Sequence, residues 1–279
     1  MPWTISKNPV ETDRWARKLW MSDPGVHTML LSVMGRCLKT PPNNRPPQTA
    51  GWWSTEGGFV AGSFCFASGD SLLLGAMPVG AGRQLAVLLA EVGKSVASVQ
   101  GPRSAVAEFT AQWEQLAGMS RTSEMQQKLH QLDRLIRPQY WPAGSGRSAT
   151  AADRDLLVNW FRCFAEETGT ASGDVGPAVD YRIASGGLFL WELDERPVAL
   201  AGASVPAGGC VRITPVYTPQ EGRKQGFGGA AVTVAVQHAL STGVDTVVLF
   251  TDATNPASNS LYEALGFSPT GESVQVIYS

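Results

Sequence analysis

Residues 223–228 combine two basic side chains with two glycines in a pattern that suits the binding of phosphate groups. Arg223 and Lys224 supply positive charge, while Gly226 and Gly228 lack the Cβ atoms that would keep a phosphate from the main chain. A strand-like segment precedes this turn at 210–218, and a helix-like segment follows at 229–240. Several backbone N–H groups and a helix N-terminus would then point at one place, as in known anion sites. A glycine-rich turn is common, so the rest of the chain must support this interpretation.

A second segment downstream, residues 255–267, reads NPASNSLYEALGF. Asn255 and Pro256 are typical of the N-cap and the first position of a helix, and Gly266 is typical of its end. The strand that precedes it, residues 246–251, is β-branched and apolar without alternation, as in a central strand that is buried on both faces. The sequence therefore predicts a strand followed by a short helix that carries Tyr262.

Composition limits the classes of protein that this chain can belong to. With 279 residues, of which 43% are hydrophobic, two domains are expected. The formal net charge of -2 argues against a nucleic-acid partner, although one local patch could still bind an anionic cofactor. No apolar run approaches about 18 residues and no signal segment opens the chain, so we expect a cytoplasmic protein without a membrane partner.

The metal-binding and disulfide-forming residue types are scattered. Four cysteines and three histidines lack the spacing of a zinc site or of a disulfide framework. We therefore expect free, mostly buried thiols and no metal. These residues are Cys37, Cys65, Cys163, Cys210, His27, His130 and His238.

The first half of the chain contains helix-like and strand-like segments in a β-α-β-α order. The predicted helices are residues 11–21, 24–38, 84–92 and 104–116, and the predicted strands are a hairpin at 51–67 and residues 72–74 and 95–99. Residues 81–83 occupy the place of a phosphate loop but lack the second and third glycines of the later turn. This half is therefore predicted to be a related module without a cofactor.

The middle of the chain offers two interpretations and one boundary. Residues 121–136 suit either a helix, because of Leu129, Leu132 and Ile136, or a long solvated strand. Residues 137–147 (RPQYWPAGSGR) interrupt every regular pattern and are the best domain boundary. We therefore predict domains at 1–140 and 147–279.

The second half has clearer local signals. Thr150 and Asp153 predict a capping box that opens a helix with one apolar face, closed by Gly169. Residues 186–193, 197–205 and 210–218 are predicted to be three antiparallel strands, and residues 273–278 a final strand.

This order of elements, with R-x-x-G-x-G and then N-x-x-S-x-x-L-Y-x-x-L-G-F, resembles the GNAT superfamily of acyl-CoA-dependent N-acyltransferases. The resemblance covers residues 147–279, and the two signatures stand in the correct order about 30 residues apart. The residues of these two signatures resemble a bacterial subgroup still more closely. Members of that subgroup carry an extra N-terminal module similar to a degenerate second GNAT-like unit. The resemblance implies a fold of the α/β class (α+β, with a mixed sheet). Specifically, it implies a tandem GNAT-like acyl-CoA N-acyltransferase fold, in which a mixed, mostly antiparallel sheet is flanked by helices.

By this resemblance the chain is an N-acetyltransferase that uses acetyl-CoA as co-substrate. The acceptor would be a primary amine of a small molecule or peptide, which attacks the thioester directly in a ternary complex. Tyr262 is similar to the catalytic tyrosine, a phenol matched in pKa to a leaving thiolate, although a packing role is the alternative. The implied cofactor-binding residues are Val216, Tyr217, Thr218, Arg223, Lys224, Gln225, Gly226, Phe227, Gly228, Gly229, Asn255 and Ser258. A silent acyl-CoA-binding sensor or scaffold is the alternative function.

The sequence departs from the family pattern in two places. Ser258 stands where many members have alanine, although the subgroup favours serine. The strand at 211–218 lacks the glutamate that serves as base in several relatives, which leaves the general base open. The candidate carboxylates are Glu166, Glu167, Glu192 and Asp252, each of which is alternatively a solvated side chain. A chain of water molecules is the remaining possibility.

Acceptor specificity is expected from residues 172–185, from the loop before the glycine turn and from the N-terminal half. Trp52, Trp53 and Trp141 are candidates for cleft walls, with core packing as the alternative. Asp174, Asp180 and Glu192 would favour a cationic amine. The sequence leaves the acceptor, the acyl chain length and the choice between monomer and homodimer open.

Overall fold

The structure, a computed structural model, describes residues 2–41, 48–67, 70–138, 140–169 and 173–279. Its contacts divide the chain into two compact units. The first unit comprises Met1–Leu129, Phe250–Pro256 and Pro269–Ser279, and the second comprises His130–Leu249 and Ala257–Ser268. Both units are therefore built from segments that are separated in the sequence.

The first unit contains a mixed sheet. Its strands are β1 (Trp3–Ser6), β2 (Ala50–Ser54), β3 (Val60–Phe66), β4 (Ser71–Leu74), β5 (Ser98–Pro102) and parts of β6 (Arg121–Leu132) and β12 (Phe267–Tyr278). They are ordered β1-β2-β3-β4-β5-β12-β6. Strands β1 to β4 pair antiparallel in succession, β4 pairs parallel with β5, and β12 pairs antiparallel with β5.

Four helices accompany this sheet: α1 (Pro9–Ser22), α2 (Thr28–Lys39), α3 (Ala81–Glu91) and α4 (Arg103–Ala117). Helices α3 and α4 bury leucine, valine and aromatic side chains against the sheet, including Leu85 and Phe109, and Val276 of β12 belongs to the same core. Helix α1 is attached to β3 by a hydrogen bond of 2.8 Å, which the Trp20 indole donates to the Ser63 hydroxyl.

The second unit contains β7 (Ser145–Ser148), β8 (Leu188–Leu193), β9 (Arg196–Ala203), β10 (Cys210–Tyr217) and the first part of β11 (Thr246–Asp252). Strands β7 to β10 pair antiparallel in succession, and β10 pairs parallel with β11. The tight β8–β9 turn places Asp194 and Glu195 at φ 49° and 62°, as hairpins of this length require. The three predicted antiparallel strands are thus confirmed.

The helices of the second unit are α5 (Arg154–Thr168), α6 (Gly176–Ala184), α7 (Phe227–Ser241) and most of α8 (Pro256–Ala264). Helix α7 is rich in alanine and valine and is buried with β8, β9 and Tyr262 in one core. Helices α5 and α6 contribute Leu157, Trp160 and Val179 to a second core with Leu190 and Leu200. Helices therefore cover the sheet, which agrees with the predicted mixed α/β architecture.

Several local expectations can be compared with the structure directly. The predicted capping box is present, with both the Thr150 and the Asp153 side chains bonded as expected, and a short 3-10 turn precedes α5. The ambiguous segment forms a strand, β6, up to Leu132. Residues 81–83 lie in the first turn of α3 instead of in a loop, because Gly80 at φ 85° already starts that helix.

The two compact units do not coincide with the segments 1–140 and 147–279. The division after Leu129 falls within β6, and Pro269–Ser279 joins the first unit because β12 pairs there with β5. Each unit nevertheless has the same element order: a strand, two helices, three antiparallel strands, a helix, a parallel strand and a helix. The degenerate GNAT-like character of the first half remains a proposal that this repeated order supports.

Within the described ranges, no helix is long and apolar enough to cross a membrane. The same part of the chain has no cluster of three or more His, Cys, Asp or Glu side chains that could hold a metal ion. The four cysteines, which all lie in this part of the chain, are not joined by disulfide bonds.

Candidate active site

The glycine turn connects β10 to α7 with two residues in the left-handed backbone region. Lys224 has φ 63°, and Gly226, the N-cap of α7, has φ 83°. Helix α7 begins at Phe227, which is buried in the core and anchors the turn. Because the first four N–H groups of a helix have no partner inside it, the turn presents donors and the positive end of the helix dipole. This geometry suits an anion, as the sequence predicted.

The space around the turn explains the other glycines. A Cβ atom at Gly228 would lie 3.1 Å from Oγ1 of Thr218, and one at Gly229 would lie 3.0 Å from Cδ1 of Leu261. Larger side chains would therefore push these neighbours away or fill the cradle. The glycines keep the main chain bare at the start of α7, which is the fit that a diphosphate group needs.

Arg223 is already engaged by the protein. Its Nε–H donates to the carbonyl of Thr218 at 2.9 Å, and its Nη2 donates to both carboxylate oxygens of Glu167 at 2.7 Å. The predicted phosphate-binding guanidinium and one predicted candidate base are thus an ion pair. Gln225 donates through Nε2 to the carbonyl of Glu221 at 3.0 Å, and Lys224 is exposed.

The end of β10 provides backbone groups beside the turn. Val216 and Tyr217 pair with Ala201 and Leu200 of β9, after an irregularity in the register between Ile213 and Val216. Strand β11 pairs with β10 along residues Cys210 to Arg212. The ladder with β9 thus fixes Val216 and Tyr217 at the point where the turn begins.

Tyr217 is a buried aromatic residue and not a free acid or base. Its ring lies 5.9 Å from that of Trp160. Burial and then a hydrogen bond with Cys163 raise the pKa of Tyr217 to about 12. Its phenol is therefore neutral at physiological pH, and its side chain supports β10 from the α5 side.

Tyr262 lies on α8 in the same core as α7. Its side chain is 7% exposed, and its ring meets that of Phe267 edge to face at 6.0 Å. Burial raises the pKa of Tyr262 above its ordinary value, so the phenol keeps its proton at neutral pH. The proton-bearing form that a donor needs is therefore the populated one.

The remaining signature residues lie at the start of α8. Asn255 precedes Pro256, the first helical residue, and its backbone N–H donates to Asp252 at 3.1 Å. Ser258 is half-buried one turn into the helix. Asn255 belongs to the first compact unit, whereas Ser258, Tyr262 and the glycine turn belong to the second.

Three of the four candidate bases have partners. Glu192 accepts from Arg147 at 2.7 Å, Glu167 pairs with Arg223, and Asp252 accepts from the backbone and hydroxyl of Thr254 at 2.8 and 2.7 Å. Glu166 is exposed at the end of α5. Glu192 and Glu167 are therefore both held in ion pairs.

The acidic residues that were expected to attract a cationic amine are also engaged. Asp180 pairs with Arg154 at 2.6 Å, and Asp174 accepts the backbone N–H of Gly176 at 2.9 Å. Ser172 lies outside the described residues, and the rest of that segment contains α6. These contacts do not assign acceptor specificity to this segment, so that role stays a proposal.

The three tryptophans proposed as cleft walls are packed by other aromatic rings. Trp52 is buried and stacks on Trp15 at 6.0 Å. Trp53 meets Trp3 edge to face at 5.6 Å, and Trp141 meets Trp191 at 5.2 Å. These contacts favour the packing alternative for each of them.

Two features of the site have no signal in the sequence. The Glu167–Arg223 pair joins residues that are 56 positions apart. Near the turn, the Cβ position of Gly226 lies 3.6 Å from Pro142 and 3.8 Å from Tyr140. Long-range contacts of this kind depend on the packing of β7 and α5, which no local pattern describes.

Comparison with known proteins relates the segment that forms this site to one protein family. The model of the acetyltransferase (GNAT) family matches residues 154–267. No curated protein sequence matches the chain. The predicted resemblance is therefore confirmed for the segment that carries the glycine turn and Tyr262.

Solved structures resemble the chain over its whole length. An acetyltransferase of the GNAT family from Colwellia psychrerythraea has a TM-score of 0.61 and 12% identity, with all of both chains covered. A GCN5-related N-acetyltransferase from Sphaerobacter thermophilus has a TM-score of 0.64 and 14% identity, over 99% of this chain and 95% of that chain. A tandem GNAT protein from the clavulanic acid biosynthesis pathway has a TM-score of 0.54 and 12% identity, over 99% and 98%. At such identities the likeness shows the fold alone, and it confirms the predicted fold class.

Proposed function

Residues 154–267 form a domain of the acetyltransferase (GNAT) family, and from this premise we propose that the protein is an acetyl-CoA-dependent N-acetyltransferase. The acceptor is a primary amine of a small molecule or peptide, which attacks the thioester directly while both substrates are bound. The observation that carries the proposal is the bare turn at the start of α7, where Gly226 has φ 83° and a Cβ atom at Gly228 would lie only 3.1 Å from Oγ1 of Thr218. Acetyl-CoA supplies an activated acyl group and a thiolate leaving group.

The diphosphate of acetyl-CoA is assigned to the backbone N–H groups around Gly226 and Gly228. Preorganised N–H donors at a helix N-terminus bind such groups without the cost of reorganising a side chain. Lys224 is exposed and adds charge, and Arg223 adds two more donors when it exchanges Glu167 for phosphate. Gln225, Phe227 and Gly229 shape the turn around these donors.

The pantetheine arm is assigned to the backbone groups of Val216, Tyr217 and Thr218. An extended ligand that follows the end of β10 can pair with these groups like an added strand. One N–H group of this stretch would then point at the thioester carbonyl and stabilise the charge that develops on its oxygen. Asn255 and Ser258 are assigned to the same cofactor from the start of α8.

Tyr262 is assigned the role of proton donor to the leaving thiolate. Its raised pKa keeps the phenol protonated at the pH where the amine reacts. The ion pair with Arg147 leaves no free carboxylate at Glu192. Glu167 is freed when Arg223 turns to the phosphate, so Glu167 and a chain of water molecules both stay candidates for removing the amine proton.

The alternative function is a silent acyl-CoA-binding sensor or scaffold. The burial of Tyr262 in an apolar core favours this alternative, because a phenol can also be retained there for packing alone. Binding of acetyl-CoA would be the same in both cases, so only turnover separates them.

The test is release of free thiol from acetyl-CoA by the full chain in the presence of a panel of primary amines. An N-acetyltransferase gives amine-dependent thiol release together with thermal stabilisation by CoA. Stabilisation by CoA without turnover for any amine would establish the binding module instead. Absence of both stabilisation and turnover would contradict the acyl-CoA site itself.

A further inference from the structure

A short segment before β7 lies directly against the glycine turn. The Cβ position of Gly226 is 3.6 Å from Cδ of Pro142 and 3.8 Å from Cδ1 of Tyr140. A side chain at Gly226 would thus be in van der Waals contact with this segment, which lies beside the residue that caps α7. The predicted domain boundary therefore contains residues that form one wall of the turn.

This segment is anchored to β8. The ring of Trp141 meets that of Trp191 edge to face at 5.2 Å, and the Trp191 indole donates a hydrogen bond of 3.0 Å to the carbonyl of Ala143. At Gly144, where φ is 111°, a Cβ atom would lie 2.0 Å from the carbonyl of Glu192, so only glycine allows this approach. The wall is held in place before any ligand arrives.

The outer side of this wall carries an aromatic ring and a cation. Tyr140 is 74% exposed although its neighbour Trp141 is packed. The guanidinium of Arg137, three residues before Tyr140, lies 4.3 Å from the centroid of the Trp141 ring. This distance is that of a cation–π contact, and Arg137 is exposed, so that its positive charge lies at the surface beside Trp141.

The covalent structure of CoA indicates which part of the molecule would lie at this wall. Its diphosphate joins the pantetheine arm on one side to an adenosine that carries a 3′-phosphate on the other. With the diphosphate at the turn and the pantetheine along β10, the adenosine is expected beside the turn, away from β10. Tyr140 and Pro142 lie against Gly226, the capping residue of that turn.

We infer that Arg137, Tyr140 and Pro142 form the adenosine subsite of the acyl-CoA site, with adenine stacked on Tyr140 and the 3′-phosphate bound by Arg137. This inference rests on the proposed function. Stacking on an aromatic side chain tolerates any base, and a guanidinium suits a phosphate that a neutral side chain could not hold. The boundary segment thereby becomes part of the cofactor site and ceases to be only a linker.

The test measures the dissociation constants of three ligands: acetyl-CoA, acetyl-dephospho-CoA, which lacks the 3′-phosphate, and S-acetyl-4′-phosphopantetheine, which lacks the adenosine. We expect Tyr140→Ala to weaken acetyl-CoA by about tenfold, within the range known for stacking of one base. Tyr140→Phe should retain most of the affinity, because the ring remains. The affinity for S-acetyl-4′-phosphopantetheine should be the same in all three proteins.

The cation is tested separately with Arg137→Gln. This variant should bind acetyl-CoA about tenfold more weakly but acetyl-dephospho-CoA as the wild type does, because only the first carries the 3′-phosphate. Arg137→Lys should recover part of the difference. Phe59→Ala is the matched control, since Phe59 is 71% exposed but lies on the β2–β3 hairpin of the first unit.

Each outcome decides between two statements. If the wild type binds acetyl-CoA and Tyr140→Ala binds it equally well, the adenosine subsite is wrong while the proposed function stands. An equal loss for S-acetyl-4′-phosphopantetheine would also overturn the inference, because Tyr140 would then only shape the turn. If the wild type binds no acetyl-CoA, the proposed function fails and this inference fails with it.

Discussion

The guanidinium of Arg223 is divided between the carbonyl of Thr218 and the carboxylate of Glu167. Both charged side chains are about two-fifths exposed, at 40% and 42%, so solvent screens the pair and its net contribution to stability is at most about 1 kcal/mol. A diphosphate needs the same donors. Glu167 therefore competes with the proposed ligand for Arg223.

Replacing Glu167 by glutamine should tighten the binding of acetyl-CoA by about threefold to fivefold at low salt, because the competing charge is removed. Calorimetric titration would measure the change, and the difference should shrink as salt is added. Glu166→Gln is the matched control, one residue away and exposed. Weaker binding by Glu167→Gln would instead mean that the carboxylate positions Arg223 for the ligand.

The phenol of Tyr262 is the residue on which activity should depend most. Its hydroxyl is neutral because burial raises its pKa, and packing against Phe267 holds the ring. Such a donor loses nothing to ionisation between pH 7 and pH 9. The proton it would supply is therefore available over the whole range in which the amine becomes a nucleophile.

Replacing Tyr262 by phenylalanine should lower kcat by about 10²-fold to 10⁴-fold, the range of general acid catalysis, while the KM for acetyl-CoA stays unchanged. Steady-state thiol release measures both constants. Tyr278→Phe serves as control, since Tyr278 is also a buried tyrosine but lies on β12 in the first unit. Wild-type kcat in Tyr262→Phe would show that its role is packing.

At the scale of elements, the start of α5 combines a local and a distant interaction. Asp153 accepts from the backbone N–H and the hydroxyl of Thr150, as a capping box requires. It also accepts two hydrogen bonds from Arg147 of β7, at 2.7 and 2.8 Å. Arg147 in turn binds Glu192 of β8. One carboxylate thus fixes the helix to the edge of the sheet.

This carboxylate gives the fold a defined acid sensitivity. The hydrogen bonds from Arg147 come first among the causes that lower the pKa of Asp153 from 3.8 to about 2. Because the folded pKa is the lower one, its contribution is present above pH 3.8 and is lost as the pH falls towards 2. By linkage it amounts to roughly 2 kcal/mol.

Asp153→Asn should therefore reduce the free energy of unfolding by about 2 kcal/mol at pH 7, and the difference from wild type should vanish near pH 2. Denaturant unfolding at several pH values measures this. Asp155→Asn is the control, because the Asp155 side chain is fully exposed two residues away. A difference that is the same at pH 7 and at pH 2 would contradict the assigned role of the charge.

The first unit contains a turn that is related to the glycine turn but closed. Gly80, the N-cap of α3, has φ 85°, close to the 83° of Gly226. Its N–H donates to both carboxylate oxygens of Glu108 on α4, at 2.9 and 2.8 Å. A carboxylate of the protein thus occupies the place where a phosphate would bind. This contact supports the proposal that the first half is a module without a cofactor.

At the scale of the whole molecule, the chain order and the compact units differ. Strand β12 begins in the second unit at Phe267, but its residues from Pro269 onwards belong to the first. There β12 pairs with β5 from Ser273↔Pro102 to Ile277↔Ser98, and Val274, Val276 and Tyr278 enter the core of α3 and α4. The first unit is therefore completed by the C-terminal end of the chain.

Residues 1–129 expressed alone should fail to fold cooperatively, because β5 would lose β12, one of its two neighbouring strands, and the core would lose three side chains. Circular dichroism and thermal unfolding would show this directly. The control is the same segment with residues 267–279 joined to its end by a flexible linker, which should restore a cooperative transition. A stable, cooperative 1–129 fragment would mean that β12 is dispensable for the first unit.

Much of the fold could be predicted because its signals are local. Gly226 suits its positive φ, the Thr150 and Asp153 pair caps α5, and the strand-like runs 186–193, 197–205 and 210–218 predict the antiparallel strands. The family of residues 154–267 follows from such signals in their order. What could not be predicted is the ambiguous segment that became β6, where neither periodicity dominates.

The glycine turn, its helix and the segment that bears Tyr262 could be predicted from the residues alone, since each depends on backbone preferences of neighbouring residues. The hold of Glu167 on Arg223, the position of Tyr140 beside Gly226 and the completion of the first unit by β12 appear only in the folded chain. These contacts join residues far apart in the chain. They depend on how strands pair and helices pack, and no local pattern of residues encodes that.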